Sequence, residues 1–310
     1  MLKYILTRVI TMVFILLAIA FIVFSLVYLT PGDPSHLILP ITATPAEHEY
    51  FNEVHGLNRP FIVRFADYIF GILTRFDFGL SFRSDMPVID DLIRIFPVTF
   101  NLAWLGAVFT MILGIPLGVI AAVRHSTIVD RSVNNWAILI GAVPGFFLAF
   151  LLVMLFSIRF RWFPVFGVGS IRHYVLPTAS MAIPASAGFI RLTRAVMLDT
   201  VHMEYIKTAR AKGSSERVVI WKHAFRNAML PVINGAGLLF AALLGGTILI
   251  EQIFAMHGVG MYALQALRLN DYPAIVASTI LLSFIFCMIV LIIDIAYALL
   301  DPRIKVRFSS

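Results

Sequence analysis

The charged residues that could do chemistry concentrate in one part of the sequence, between Glu204 and Asn227. Six Lys or Arg residues occur there in a helix-compatible pattern with apolar runs on both sides: Lys207, Arg210, Lys212, Arg217, Lys222 and Arg226. Cationic side chains at this density can contact nucleic acid, the anionic headgroups of a membrane or a partner protein. The choice among these depends on the elements that hold the stretch in place.

Catalytic motifs are missing from the rest of the sequence. No G-x-x-x-x-G-K-[ST] sequence occurs, so the chain has no phosphate-binding loop for a nucleotide. The eight His residues are scattered, without the paired Cys/His spacing of a metal site. The single Cys, Cys287, lies in an apolar run, which excludes a disulfide framework. We therefore expect a non-enzymatic protein without a bound cofactor or metal.

The composition is that of an integral membrane protein. Hydrophobic residues make up 60% of the 310 residues and charged residues only 13%, whereas a soluble domain is about a quarter charged. Six runs are long and apolar enough to cross a bilayer: 9–29, 98–123, 134–158, 174–198, 228–254 and 273–300. The first run is long and lacks a small-residue cleavage site, so we interpret it as a retained span and not as a signal peptide.

The distribution of Lys and Arg predicts the orientation of these spans. With a cytoplasmic N-terminus, the cytoplasmic segments are 1–8, 124–133, 191–227 and 301–310. They carry most of the 24 Lys and Arg residues, which is the bias of the positive-inside rule. Both termini are therefore expected in the cytoplasm. The net charge of +7 then reflects topology and does not indicate nucleic-acid binding.

The longest loop, 30–97, is expected outside. Its apolar residues recur at helical spacing from Phe61 to Leu73, which predicts an amphipathic helix. Such a loop can cap the outer ends of the spans or form a docking surface for an external partner, and the sequence favours neither.

Ionisable residues inside the predicted spans are few. Asp294 lies near the inner end of the last span and Glu251 near the outer end of the fifth. Arg191 and Arg194 close the fourth span, where their side chains can reach the cytoplasmic interface. A proton relay through Asp294 is one hypothesis, and a buried Asp that packs helices together is the other.

Small residues and prolines within the second and third spans predict close helix approach and local bends. These structural or pathway candidates are Gly114, Pro116 and Gly118 in the second span, and Pro144 and Gly145 in the third.

The basic stretch itself predicts two helices joined by a glycine turn. Residues 205–212 favour a helix, and Gly213 is a natural stop in the left-handed conformation. Ser214 or Ser215 can cap a second helix, and Pro231 marks the entry to the next span. A DNA-binding motif is excluded in practice by membrane spans on both sides. An anionic lipid surface and a partner protein remain as ligands.

The motifs of this stretch resemble the cytoplasmic coupling loop of ABC importer permeases, in the dipeptide/oligopeptide/nickel branch (the B-type subunit). They are Thr208-Ala-Arg-Ala-Lys-Gly213, then His223-x-x-Arg226-Asn-Ala and Pro231. Further matches follow in order along the chain: Pro31-Gly-Asp-Pro34, Gly56-Leu-Asn-Arg-Pro60, Asp77-Phe-Gly-Leu-Ser81, Asp271-Tyr-Pro273 and Asp301-Pro-Arg303. Lys207-Thr208-Ala209 departs from the Glu-Ala-Ala that begins the general importer signature.

The resemblance implies an all-α integral membrane protein with six transmembrane helices, the type I ABC importer permease fold, and a helical extracytoplasmic loop after the first span. The implied divisions are an N-terminal transmembrane helix (1–30), the extracytoplasmic loop (31–97), a transmembrane domain (98–300) and a cytoplasmic tail (301–310). Residues 199–227 of the transmembrane domain are called the coupling loop below. The resemblance assigns ATPase coupling to Glu204, Ala209, Arg210, Ala211, Gly213, His223, Arg226 and Asn227.

The same resemblance implies the function and the partners. The chain would be a permease subunit in a bacterial inner membrane, importing peptides, nickel chelates or related small solutes. It would pair with a second, homologous permease and bind two cytoplasmic ABC ATPases, which use ATP and Mg. An extracytoplasmic solute-binding protein would deliver the solute. The alternatives are a proton-coupled secondary transporter, which would depend on Asp294, and a membrane-anchored scaffold.

Overall fold

The computed structural model describes residues 2–30 and 33–300, with side chains between Tyr4 and Ala296. Two features of the sequence lie outside the described residues: Pro31-Gly32 of the first motif after span one, and the tail 301–310 with Asp301-Pro-Arg303. The described chain is helical, and its only β-structure is an isolated bridge between Leu80 and Pro87.

Fourteen α-helices occur in the described residues, and two π-helical segments continue them. The α-helices are α1 (Leu2–Tyr28), α2 (Pro34–Ile38), α3 (Pro45–Val54), α4 (Phe61–Arg75), α5 (Val88–Val123), α6 (Ile128–Gly141), α7 (Gly145–Leu152), α8 (Arg172–Val201), α9 (Glu204–Ala211), α10 (Glu216–Val218), α11 (Arg226–Gly246), α12 (Ile248–Ile253), α13 (Val259–Arg268) and α14 (Tyr272–Leu300). The π-helical segments are Val153–Arg159 after α7 and Val219–Phe225 between α10 and α11.

The predicted membrane architecture is confirmed. Five helices of the described chain are long and apolar enough to cross a bilayer: α1, α5, α8, the run Glu216–Gly246 and α14. The pair formed by α6 and Gly145–Arg159 brings the number to six if it counts as one span. Apolar runs of this length bury their backbone hydrogen bonds within the helix, which is what a bilayer requires.

Two spans differ in length from the apolar runs that predicted them. Helix α5 begins at Val88 and not at position 98, because Val88 and Leu92 are fully buried in a core that the hydropathy pattern does not reveal. The fifth span begins at Glu216 and ends at Gly246, so the predicted run 228–254 is not one helix.

The third predicted span is bent sharply. Helices α6 and α7 meet at 89°, and the break contains Pro144, which is extended at ψ 136 and precedes α7. Proline has no N–H to continue the hydrogen bonding of α6. The bend that Pro144 and Gly145 predicted is therefore present, and it divides the span into two helices.

The chain forms two compact units. The first unit is Phe100–Met256 together with the described residues before Thr7 and after Cys287, and the second unit is Thr7–Thr99 with His257–Cys287.

Close contacts between helices in the first unit depend on glycine. A Cβ on Gly118 of α5 would lie 2.6 Å from the Thr193 Cβ and 2.8 Å from the Ile190 carbonyl oxygen of α8. A Cβ on Gly114 would lie 2.9 Å from the Phe189 side chain. Small residues let helix backbones approach this closely, so α5 and α8 pack along a glycine stripe with Pro116 between the two glycines.

In the second unit, the predicted amphipathic helix of the 30–97 loop is present as α4. Its aromatic side chains Phe61 and Phe65 pack edge-on against Phe21 and tilted or edge-on against Phe24 of α1, with ring centroids 5.4–5.7 Å apart. Aromatic pairs prefer these geometries. The loop helix is therefore held against the first span.

Asp271 joins two of the sequence motifs in the second unit. Its buried carboxylate accepts hydrogen bonds from the Ser81 hydroxyl and from the Phe82 N–H, the latter at 3.0 Å. The Arg83 guanidinium also donates to the Leu269 carbonyl oxygen. The Asp77–Ser81 and Asp271–Pro273 motifs thus fasten the loop to the start of α14.

Candidate functional site

Helix α9 carries the first half of the coupling loop, and two residues anchor it. Ile206 is fully buried and Ala209 is 9% exposed, while Glu204, Arg210 and Ala211 are exposed. One face of a short helix therefore packs inward, and the remaining surface is available for a partner.

The anchor residues belong to a core that reaches several spans. Ile206 and Ala209 pack in one cluster with Val119 of α5, Met197 of α8 and Val219 of the π-helical segment. Interiors packed in this way transmit displacement because they resist compression. A force on α9 would therefore be carried into α5, α8 and the fifth span.

Gly213 forms the turn after α9 in the left-handed region, at φ +80. Nothing lies within 4 Å of a Cβ at this position, so conformation and not crowding requires glycine. The Arg210 guanidinium forms an ion pair with the Glu216 carboxylate at 2.8 Å across the turn. This exposed pair holds the two sides of the turn together.

The second half of the coupling loop differs from its prediction. Ser215 occupies the N-cap position, but its side chain makes no capping hydrogen bond. The helix that follows is not a separate surface helix, because it continues through the π-helical segment into α11. Pro231 lies inside that helix and does not mark its entry. Membrane helices tolerate such prolines because neighbouring helices, hydroxyl side chains, ordered waters and local π-helical turns can satisfy the freed backbone groups.

The remaining predicted coupling residues lie on this continuous helix. His223 is half-buried, while Arg226 and Asn227 are exposed. The Asn227 side-chain amide donates to the His223 carbonyl oxygen at 2.7 Å. Partial burial raises the pKa of the Tyr205 hydroxyl, and a hydrogen bond with Asn227 opposes that shift. The Tyr205–Asn227 contact joins α9 to the second half of the loop.

An ion pair that the sequence did not predict lies beside this region. The Arg194 guanidinium donates to both oxygens of Asp130, at 2.6 and 2.8 Å. Asp130 is buried and also accepts from the Ser126 N–H and the Asn134 amide. Arg194 was expected to reach the cytoplasmic interface, and its partner Asp130 lies in the segment 124–133, which is itself predicted to be cytoplasmic. That expectation stays a prediction, as it does for Arg191, whose side chain is exposed.

Two protein-family models match this chain. Residues 114–306 match the family described as binding-protein-dependent transport system inner membrane component, and residues 1–103 match its N-terminal family. The chain belongs to this family. It is therefore a permease subunit of an ABC importer, a membrane transport subunit and not an enzyme.

Relatives match the permease along nearly its whole length. A protein of Brucella abortus (strain 2308) named as a peptide transport system permease is 37% identical over 97% of this chain and 98% of its own. The glutathione transport system permease protein GsiC of Escherichia coli (strain K12) is 36% identical over 99% of this chain and 100% of its own.

Solved structures with the same fold are membrane subunits of ABC transporters. One is the methionine transporter MetNI in an inward-facing conformation, with TM-score 0.53 and 20% identity over 66% of this chain and 92% of that chain. Another is an amino acid ABC transporter, with TM-score 0.52 and 15% identity over 69% of this chain and 94% of that chain. The likeness establishes the type I permease fold.

These findings favour the permease over the proton-coupled secondary transporter. Membership of the family implies ATPase and solute-binding partners and a place in the inner membrane. Asp294, on which the secondary transporter would depend, lies half-buried in α14.

Exposed apolar side chains on the permease's coupling loop were not among the predicted site residues. Trp221 is 52% exposed although its ring packs edge-on against Phe225, and Tyr205 is 43% exposed. Large aromatic side chains dominate protein interfaces. Large aromatic residues in an otherwise basic stretch were the sequence signal that could have identified Trp221 and Tyr205 as site residues.

We expect the Asp130–Arg194 pair to stabilise the permease measurably. Removing one partner of a buried ion pair typically costs about 3–5 kcal/mol, and we expect about 2 kcal/mol here because the Arg194 side chain is 24% exposed. The measurement is a double-mutant cycle of Asp130→Asn and Arg194→Gln, followed by unfolding of the detergent-purified protein. Arg59→Gln, which breaks an ion pair whose side chains are 64% and 59% exposed, is the control and should cost less than about 1 kcal/mol. Strictly additive single effects would contradict the coupling.

Proposed function

We propose that the permease imports peptides, or small peptide-like solutes such as glutathione, as one half of a two-permease pathway. Its partner is a second, homologous permease. Support comes from the full-length relatives, which are named as peptide and glutathione transport permeases. Nickel chelates, which the motifs also allow, are the less favoured solute.

The coupling loop is the proposed entry point for the energy of ATP hydrolysis. The observation that carries this proposal is the burial of Ile206 and Ala209 beneath an otherwise exposed α9. An ATPase that binds the exposed surface can move α9. Because the anchor residues share a core with Val119 and Met197, the spans then move as packed rigid elements between discrete states.

The binding surface for the ATPase combines charge and aromatic area. Arg210 and Arg226 contribute cations at the exposed surface, and Trp221 and Tyr205 contribute the apolar area that interfaces bury. We assign this surface to the cytoplasmic side, with both termini, on the positive-inside bias of the Lys and Arg residues. Two such surfaces, one from each permease, receive two ATPases.

Reconstitution of the complete complex tests the function. Proteoliposomes should accumulate a labelled dipeptide only with the solute-binding protein present and ATP on the coupling-loop side. A proton uncoupler should leave uptake unchanged, and Asp294→Asn should reduce it at most modestly. Uptake by this chain alone, driven by a pH gradient and lost in Asp294→Asn, would contradict the proposal.

Orientation is checked in the same membranes by labelling. In a Cys287→Ala background, a Cys in place of exposed Ser84 should react with an impermeant maleimide in intact cells. A Cys in place of exposed Ser215 should react only after the membrane is opened. The reverse pattern would put the coupling loop outside and remove the ATPase from reach.

A further inference from the structure

An open cavity of about 680 Å³, lined by both polar and apolar side chains, lies within the second unit beside the ends of two candidate spans. Phe24, Val27 and Tyr28 line it from the last turn of the span Tyr4–Tyr28, and Tyr272 lines it from the first turn of the span Tyr272–Ala296. The ends of spans mark the level of the lipid headgroups, where Tyr side chains are enriched. The cavity is therefore at the level of a membrane–water interface.

The carboxylates around the cavity already have partners. Three carboxylates of the lining each accept a hydrogen bond or form an ion pair with another residue: Asp33, Asp67 and Asp77. Glu53 is exposed. The acidic lining residues are thus either compensated or hydrated, and they do not define a cation site.

Arg75 of the lining is exposed, whereas Arg64 of α4 is half-buried and lacks an acidic partner. Its guanidinium lies over the rings of Phe24 and Tyr28, 5.9 and 5.7 Å from the centroids. It forms no ion pair with a carboxylate in the part of the chain that the structure describes. Burial lowers the pKa of this guanidinium, but arginine stays protonated in proteins. A partly desolvated cation of this kind attracts an anion.

Three buried polar atoms of the lining residues lack hydrogen-bond partners among the described residues. They are the hydroxyls of Tyr68 and Tyr272 and the side-chain oxygen of Asn52. Buried polar groups are nearly always paired in native proteins. Each hydroxyl is shielded from solvent, so it can donate to an oxygen-rich anion, as the Arg64 guanidinium can, only after the side chains that cover it move aside. Helical spacing places Arg64, Tyr68 and Arg75 on the same face of α4, and all three line the cavity.

The surroundings of the cavity are apolar on the membrane side. The α1 side chains Phe21 and Leu26, near the same end of the span, are 45% and 63% exposed. A ligand that combines an anionic head with hydrocarbon tails can contact both the Arg64 cation and this apolar surface. A free inorganic anion can contact only the cation.

We propose that this cavity binds the phosphate headgroup of a phospholipid, with Arg64 as its charged ligand and Tyr68 and Tyr272 as hydrogen-bond donors. The acyl chains lie along the exposed side of α1. Because Arg64 belongs to α4 and the rings beneath it belong to α1, the bound lipid braces the loop helix against the first span.

Native mass spectrometry of the delipidated complex, titrated with phosphatidylglycerol, tests the proposal. The wild type should retain one more tightly bound lipid than Arg64→Gln, with an apparent affinity about tenfold higher, the size expected for one charged hydrogen-bonded contact. Arg94→Gln is the matched control, because its side chain is 76% exposed and does not line the cavity. It should bind lipid as the wild type does.

Further arms separate the sources of the anion and guard against misfolding. Tyr68→Phe removes only a hydroxyl, so a smaller loss of lipid affinity in this variant supports the site even if Arg64→Gln is poorly folded. Equal lipid retention by wild type, Tyr68→Phe and every folded Arg64 variant overturns the proposal. Thermal stabilisation by inorganic phosphate equal to that by phosphatidylglycerol assigns the site to a free anion. Stabilisation by a dipeptide and not by the lipid assigns it to the transported solute.

Discussion

Replacing Gly213 with Val should abolish ATP-driven transport while leaving the amount of protein in the membrane unchanged. The residue adopts φ +80, and a left-handed conformation costs a residue with a Cβ about 1–2 kcal/mol. A β-branched side chain is especially disfavoured there. The turn should rearrange, and α9 would then present its surface to the ATPase in the wrong position. The spans should still insert, because their hydrophobicity does not change.

Gly245→Val is the matched control for this experiment. Gly245 is also exposed and has no neighbour within 4 Å of a Cβ, but it lies in a helix and lacks a positive φ. Transport and ATP hydrolysis stimulated by the loaded binding protein are compared in reconstituted complexes. Wild-type transport by Gly213→Val would remove Gly213 from the coupling mechanism and would weaken the proposed coupling loop.

Replacing Gly118 with Ala should destabilise the transmembrane helices themselves. The added methyl group would lie 2.6 Å from the Thr193 Cβ and 2.8 Å from the Ile190 carbonyl oxygen. Backbone atoms of α8 cannot move aside as a flexible side chain can, so α5 and α8 must separate. Overpacking of this kind costs about 1–3 kcal/mol, and we expect the upper end of that range.

The chain offers a close control in Gly188→Ala. Gly188 lies in α8 with nothing within 4 Å of a Cβ, so alanine there should be neutral or stabilise by up to about 1 kcal/mol through helix propensity. Thermal unfolding of the detergent-purified protein, followed by Trp fluorescence, measures both variants. Equal midpoints for the two variants would show that α5 and α8 do not approach as closely as described.

Much of the fold follows from local patterns. Apolar runs predict the spans because length and hydropathy alone decide what a bilayer accepts. The helical spacing from Phe61 to Leu73 predicts α4, and the glycine after a helix-forming segment predicts the turn at Gly213. Each of these depends on residues close together in the chain, so their physical cause is visible in the sequence.

The effect of proline was predicted correctly at Pro144 and wrongly at Pro231, because it depends on the surroundings of the residue. Pro144 breaks the third span into two helices at 89°, while Pro231 lies within a continuous helix. Neither proline has a backbone N–H to donate to the preceding turn. A π-helical segment precedes Pro231, and the sequence carries no local sign of it.

The sequence by itself determined that this protein spans a membrane, which stretches are apolar enough to form its spans, and where a glycine turn interrupts the basic stretch. Only the tertiary structure decided which polar groups meet. Arg194 pairs with Asp130, which is 64 positions away in the sequence, and Ser81 donates a hydrogen bond to Asp271, which is 190 positions away. Likewise, the lining of the Arg64 cavity comes from α1, α4 and α14. The physical reason is that hydropathy and helical periodicity act between neighbours in the chain, whereas ion pairs, buried hydrogen bonds and cavities form between residues that only packing brings together.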